Sequence, residues 1–449
     1  MKTSTIRLHP DLPIFRLDRG AQSYIYTPGH PHAVTPGEAD ELQSIFTSTK
    51  PRNPSSLRKL AKKLKDRAKR SQREWQKLSE APFEPVCLTV YLSNCCNLRC
   101  SYCFAAPARA PRSVDAELPI IQEEAVEQGA QTVVGHCARR NRPFTLVLHG
   151  GGEPTLHWKL LQRLVSLTQR VAATQGVRWW GYIATNGMLS ESRTRWLAEH
   201  FDLIGLSCDG PPFIQDAQRP TADGAGTSKI LERTARLLKQ IGAPYAVRVT
   251  ITPEIVQHQS EIVRYIHSTL GANIIHFEPV YSPGGSTTLS FLPADAERFT
   301  AGFLAAQRLA VELGCELSLS GIRPKEIHGP YCNILRDVLQ LTPDGVVSTC
   351  FLCTDGNTAT GAVLSLARLN SVSAPLTLEL DRIAGLRHRA LTIPARCQQC
   401  INIYHCVRKC PEGCPVIEEE DNPMWPEGFR CQVYKRLVEH WIFQSGIGR

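Results

Sequence analysis

"CCNLRCSYCF" at residues 95–104 places four cysteines in ten positions, directly after the apolar run "VCLTVYLSN" at 86–94. The run reads as a buried strand, so the cysteines fall on the loop at its C-terminal end. From Val86 to about Val280 strand-like and helix-like patterns alternate. Strands are predicted at 86–94, 145–150, 178–187, 201–210, 245–252 and 272–280, with helices near 119–140, 157–174, 190–200, 227–241 and 254–270. Six such units in succession predict an α/β fold, a parallel sheet closed part-way into a (β/α)6 TIM-like barrel, with its chemistry on the loops at the strands' C-terminal ends.

Outside that region the pattern changes. Residues 1–80 form an N-terminal α+β extension, with a strand pair expected in "PIFRLDRG" and "QSYIYTPGH". Within it "LRKLAKKLKDRAKRSQREWQK" at 57–77 holds ten Lys or Arg against Asp66 and Glu74, a surplus of eight out of the chain's net +9. Leu57, Leu60, Ala61, Leu64, Ala68, Trp75 and Leu78 fall on one helical face, with Ser55 or Ser56 as the N-cap. The helix is therefore amphipathic, with a strongly basic outer side. Residues 81–282 hold the barrel, 283–330 a linker and helix, and 331–449 a turn-rich, cysteine-dense domain.

Ten of the seventeen cysteines lie beyond residue 300. The opening "MKTSTIRLHP" has no apolar signal-peptide core, which predicts a cytoplasmic protein whose clustered thiols serve metal rather than disulfides. No apolar stretch reaches the ~20 residues of a membrane span, and no DNA- or RNA-binding motif accompanies the basic helix. Neither a membrane nor a nucleic acid is an expected partner.

Cys96, Cys100 and Cys103 form C-x3-C-x2-C. Zinc usually takes four ligands, as does an iron–sulfur cluster carried for electron transfer. Three thiolates on one loop suit a cubane cluster with one iron left open to an outside ligand. Cys95 would point the other way on an extended chain and is set aside.

This loop, following the first barrel strand, resembles the signature of the radical S-adenosylmethionine (SAM) superfamily. The resemblance implies a [4Fe-4S] cluster whose open iron chelates SAM, and cleavage of SAM to a 5′-deoxyadenosyl radical. It further implies that the turn "GGGEP" at 150–154, through Gly151, Gly152 and Glu153, holds the SAM ammonium. "ATNG" at 184–187, "LSCDG" at 206–210 and "RVTI" at 248–251 resemble later strand ends of the family, making Asn186, Ser207 and Arg248 expected SAM contacts.

In the C-terminal region Cys332, Gly345 and Cys350 read C-x12-G-x4-C, and Cys397, Cys400, Cys406 and Cys410 read C-x2-C-x5-C-x3-C, followed by Cys431. The spacing is similar to the SPASM domain, which implies two auxiliary [4Fe-4S] clusters and three clusters in all. Cys397, Cys400, Cys406 and Cys431 would hold one; Cys332, Cys350 and Cys410 would hold the other, with Cys353 or Cys414 as its possible fourth ligand. Cys87, Cys137, Cys208 and Cys315 read as small buried hydrophobes.

The resemblance implies a maturase acting on a ribosomally made precursor peptide, forming an intramolecular thioether or carbon–carbon cross-link, with a flavodoxin- or ferredoxin-type reductant. Anaerobic sulfatase (formylglycine) maturation is the alternative, but its enzymes carry an aspartate directly after the cysteine corresponding to Cys350, and here that residue is Phe351. A non-enzymatic iron–sulfur carrier would need neither the glycine turn nor an open iron. The carboxylates at strand ends that suit a catalytic base are Asp209 and Glu278.

Overall fold

The computed structural model describes residues 3–47, 55–106, 118–280, 289–329, 335–356, 364–369, 376–391, 393–406 and 428–445. Cys332, Cys410 and Cys414 lie outside them. The barrel is built as the sequence predicts. Strands β5 (Cys87–Val90), β6 (Phe144–Leu148), β7 (Trp179–Thr185), β8 (Leu203–Ser207), β9 (Tyr245–Ile251) and β10 (Ile274–Pro279) lie side by side in chain order, all parallel.

Alternation along these strands creates two different faces. Leu88, Leu146, Ile183 and Ile204 point outward and are sealed by α3 (Glu123–Arg140) and α4 (Trp158–Thr174). Val247, Ile275 and Phe277 point the same way under α7 (Ser228–Gln240), α8 (Gln259–Tyr265) and α9 (Ala296–Glu312). The intervening residues, among them Thr89, Tyr182, Ser207, Arg248 and Glu278, face a concave interior. A sheet buried on its outer face and polar within therefore frames a site rather than a packed barrel core. Helices α5 (Glu191–His200) and α6 (Pro212–Gln218) complete the crossovers.

Two additions lie beyond the six predicted units. β11 (Glu316–Leu319) joins β10 in parallel. At the opposite edge β12 (Val338–Leu341) joins β5 in parallel and turns back into β13 (Val346–Ser348) and β14 (Ala367–Arg368). The cysteine-rich region thus begins inside the same ten-stranded sheet as the barrel.

The N-terminal strands number four rather than the expected pair. β1 (Ser4–Arg7), β2 (Phe15–Arg19), β3 (Gln22–Thr27) and β4 (His30–Val34) form an antiparallel sheet in that order. β4 carries Pro31, which an edge strand tolerates and which hides the strand in the sequence. Helices α1 (Pro36–Thr47) and α2 (Ser55–Glu80) pack on this sheet. In α2 the residues Leu57, Ala61, Leu64, Ala68, Ser71 and Trp75 are buried, at the three- and four-residue spacing of one helix face. Among the described residues no helix is long and apolar enough to cross a membrane.

Candidate functional site

The chain leaves β5 at Val90 and enters the loop carrying Cys96, Cys100 and Cys103. Backbone bonds from Arg99 N–H to Pro220 O (2.8 Å) and from Ser101 N–H to Gln218 O (3.0 Å) hold this loop to the end of α6 and the segment after it. A second set joins it to the glycine turn: Gly152 N–H donates to Ser93 O at 3.0 Å and Glu153 N–H to Cys95 O at 2.8 Å. Cys95, set aside as a ligand, serves through its backbone. A Cβ on Gly152 would lie 1.8 Å from the Cys95 carbonyl oxygen, so only glycine permits this approach.

Around the loop a cavity of about 650 Å³ occupies the concave face. Its wall includes the three cysteines, Gly151, Gly152, Glu153, Asn186, Ser207 and Arg248, all predicted from the sequence, together with Glu278. Cys350, Phe351, Cys406 and Cys431 line the same cavity. Both cysteine regions therefore face one space. Cys397 and Cys400 are half-buried, on the same loop as Cys406.

The donor sets fit iron–sulfur clusters. Among the described residues the cysteines form no disulfide with one another. In each cysteine loop a backbone N–H meets the sulfur two residues earlier, Leu98 N to Cys96 Sγ at 3.5 Å and Asn402 N to Cys400 Sγ at 3.4 Å. Such donors stabilise thiolate and tune cluster potentials. Among the described residues no three His, Cys, Asp or Glu side chains converge on a single ion; a cubane, which spreads its irons, makes no such demand. Burial pushes the Cys100 thiol up to about 12, the nearby Arg219 charge opposing it.

Glu153 is buried and accepts four hydrogen bonds. Three reach Oε1, from Thr155 N, Thr155 Oγ1 and Thr185 Oγ1, and one reaches Oε2, from Asn186 N at 2.8 Å. The carboxylate ties the ends of β6 and β7 together and keeps unused acceptor capacity at Oε2. Burial raises its pKa, against the pull of these donors. Asn186 Nδ2 donates to Asn97 Oδ1 at 2.8 Å, and Ser207 and Arg248 are register partners on β8 and β9.

The two candidate carboxylates differ. Asp209 is fully buried and does not line the cavity. Arg219 grips it with two bonds of 2.9 and 3.0 Å, and Tyr102 Oη, Gln218 Nε2 and Thr250 N also donate to it. Glu278 lines the cavity. Its Oε2 accepts from Ser320 Oγ, whereas its buried Oε1 has no hydrogen bond and lies 3.6 Å from Arg430 Nη1. Burial pushes the Glu278 carboxyl up, but His276, Arg430, Ser320 and Arg248 outweigh it and hold the group below the usual carboxylate range.

Sequence reasoning missed His149, which precedes the glycine turn and lines the cavity. Its Nε2 lies 2.9 Å from Arg248 Nη1, an obligate donor, so this nitrogen accepts. Burial and the Arg248 charge push the imidazole down to about 3, leaving it neutral. Phe351 packs edge-on to both Phe104 (5.9 Å) and His149 (6.4 Å), an apolar corner beside Cys350. Cys353 is buried, with its N–H bonded to Cys350 O at 2.9 Å. Cys137, Cys208 and Cys315 are buried as predicted, while Cys87 is half-buried on the cavity side.

Fold and cavity together define a partial-barrel protein with a thiol-lined site at the strand ends. Residues 90–266 match the model of the radical SAM superfamily, and this part of the chain is a radical SAM domain. The chain is 29% identical over 217 residues to the cysteine-type anaerobic sulfatase-maturating enzyme of Clostridium perfringens (strain 13 / Type A), covering 46% of this chain and 56% of that one. The chain thus spans little more than half the length of this curated relative. It is 25% identical over 352 residues to the serine-type enzyme of Klebsiella aerogenes, covering 74% and 82%. Among solved structures, anSMEcpe with bound AdoMet superposes with a TM-score of 0.64 at 20% identity, over 81% of this chain and 96% of that one. Streptococcus suis SuiB bound to precursor peptide SuiA superposes at 0.55 and 14%, over 92% and 97%. These structural likenesses establish the fold, and the cysteine-rich C-terminal region fits the SPASM layout.

Proposed function

We propose that the chain is a radical SAM maturase that forms an intramolecular thioether or carbon–carbon cross-link in a ribosomally made precursor peptide. The observation that carries this is one cavity lined both by Cys96, Cys100, Cys103 and the glycine turn and by Cys350, Phe351, Cys406 and Cys431. When bound there, a [4Fe-4S] cluster with SAM supplies a carbon radical able to take hydrogen from an unactivated C–H bond.

The chain's own residues have separable tasks. Cys96, Cys100 and Cys103 hold the first cluster. Gly151, Gly152, Glu153, Asn186, Ser207 and Arg248 hold SAM, with Glu153 Oε2 offered to its ammonium and the Arg248 fork to its carboxylate. Cys397, Cys400, Cys406 and Cys431 hold one auxiliary cluster, and Cys332, Cys350 and Cys410 the other. Glu278, the candidate carboxylate that lines the cavity, accepts the substrate proton. Asp209 holds Arg219 instead. Phe351 and Phe104 keep water from the reacting carbon. A flavodoxin- or ferredoxin-type protein supplies electrons.

Sulfatase maturation is the second reading, supported by the names of the sequence relatives. Against it stands the Phe351 ring in the corner beside Cys350, where sulfatase maturases resemble one another in carrying aspartate.

The test is anaerobic reconstitution followed by reaction with a candidate precursor peptide and with a sulfatase peptide, read by mass spectrometry. Loss of two hydrogens from the precursor peptide is expected, with no formylglycine in the sulfatase peptide. Replacing Cys96, Cys100 and Cys103 with Ala should lower iron from about twelve to about eight per chain and abolish 5′-deoxyadenosine. Formylglycine from the wild-type protein would refute the cross-linking assignment.

A further inference from the structure

The outer face of α2 is the largest concentration of charge on the molecule. Lys62, Lys63, Lys69, Arg70, Arg73 and Lys77 are all exposed on it, and segment 57–77 holds all but one unit of the chain's net charge. Its inner face is tied to the second cysteine loop. The indole of Trp75 stacks on Tyr404 with ring centres 5.5 Å apart and 23° between planes. Tyr404 lies between Cys400 and Cys406. Beside it, Tyr26 Oη of β3 meets His405 Nε2 at 2.7 Å, and Arg7 of β1 donates to the carbonyl of Gln398, between Cys397 and Cys400. Phe15, Leu17, Tyr24, Tyr26 and Trp75 share one apolar core with Ile401, Ile403 and Tyr404.

We propose that the basic face of α2 docks an acidic one-electron carrier of the flavodoxin or ferredoxin type, which exchanges an electron with the cluster held by Cys397, Cys400, Cys406 and Cys431. The inference rests on the reading of those four cysteines as cluster ligands, not on the identity of the peptide. A carrier seated on α2 is separated from the loop by about one helix thickness, roughly 10 Å. The intervening layer is Trp75 against Tyr404, so no mobile segment has to order for contact. One electron leaves the cluster and enters the carrier's flavin or iron centre; the cluster is oxidised by one electron and the carrier reduced by one, and where the acceptor is the flavin it takes one proton from solvent. Opposite charge accelerates such encounters by about 10- to 1000-fold at low salt, and the gain fades as ions screen it.

The experiment uses the full chain, anaerobically reconstituted and reduced with dithionite that is then removed, mixed with oxidised flavodoxin in a stopped-flow instrument without any peptide. The variant K69E/R70E/R73E/K77E changes exposed residues only, and K69Q/R70Q/R73Q/K77Q provides a milder second set. At 50 mM salt the second-order rate constant is expected to fall about 10- to 100-fold in the Glu set and by an intermediate factor in the Gln set. At 500 mM salt the three proteins should agree within about threefold. Calorimetric affinity for flavodoxin should fall in parallel, while a basic acceptor, cytochrome c, should be reduced faster by the Glu set. A change below twofold at 50 mM salt, or a wild-type rate indifferent to salt, would return α2 to a merely solvated face. Unchanged flavodoxin kinetics together with weakened binding of the precursor peptide would assign the face to substrate and overturn the proposal. Because no peptide is present in the kinetic assay, failure of peptide modification leaves its outcome unaffected.

Discussion

Replacing Gly152 with alanine is expected to part the cysteine loop from the glycine turn. Gly152 does not occupy the left-handed region, unlike Gly150 and Gly151, so alanine meets no backbone penalty and the whole cost is contact. The new methyl would lie 1.8 Å from the Cys95 oxygen and 2.6 Å from its carbon, both backbone atoms that no rotamer change can move. Restoring even a tight 3.0 Å contact needs a shift of about 1.2 Å. That shift carries the 2.8 Å bond from Glu153 N–H to Cys95 O out of range and strains the 3.0 Å bond from Gly152 N–H to Ser93 O. Each buried bond lost with a partner left unpaired costs about 1–3 kcal/mol, giving about 2–6 kcal/mol if both are lost. Urea unfolding of the apo protein under argon measures this, and iron content with low-temperature electron paramagnetic resonance measures its effect on the first cluster. Gly135→Ala is the control: it lies in α3 with only the Arg139 side chain within 4 Å and should stabilise by about 0.5–1 kcal/mol. If Gly152→Ala unfolds at the wild-type urea concentration and retains full iron, the locking of loop to turn is refuted.

Asp209→Asn should destabilise by about 3–5 kcal/mol, because it leaves the buried Arg219 without its counter-charge; a stable variant with slowed product formation would make Asp209 a catalytic base after all. Below pH 6.5 the unfolded chain protonates His149 while the folded chain, with this group depressed to about 3, refuses the proton, so stability falls as pH falls. Between pH 7 and pH 5 the wild-type protein is expected to lose about 1–2 kcal/mol more than His149→Gln, allowing for cavity water around the ring; equal losses in urea titrations would show a solvated imidazole.

The parallel strands β5 to β10 were legible because each is an apolar run bounded by turns, and the loop after β5 because cysteine spacing is a chemical constraint written locally. What escaped was set by tertiary pairing. β11 and β12 are four residues each, too short for a periodic signal, and β12 pairs with β5 some 250 residues earlier in the chain. Asp209 and Glu278 look alike in sequence, each a carboxylate at a strand end. Arg219 folds back onto the first from beyond α6, whereas the second opens toward the cavity, and no local pattern separates these fates. His149 was visible as the residue before three glycines, but its role depends on Arg248, three strands away in the sheet.

The pairing of β12 with β5 has a mechanical consequence. Four register pairs, extended by bonds from Val86 and Cys87 N–H to Asp337 O and from Tyr91 N–H to Leu341 O, weld the second cysteine region to the first barrel strand. The seam is a wall, not a hinge. Opening it would break a ladder sealed outside by Leu339 and Leu341 in the main apolar core. Cys350 and Phe351, which follow this ladder closely in the chain, are therefore held in place beside the first cysteine loop, and the part of the cavity they line keeps its width whatever happens elsewhere in the cysteine-rich region.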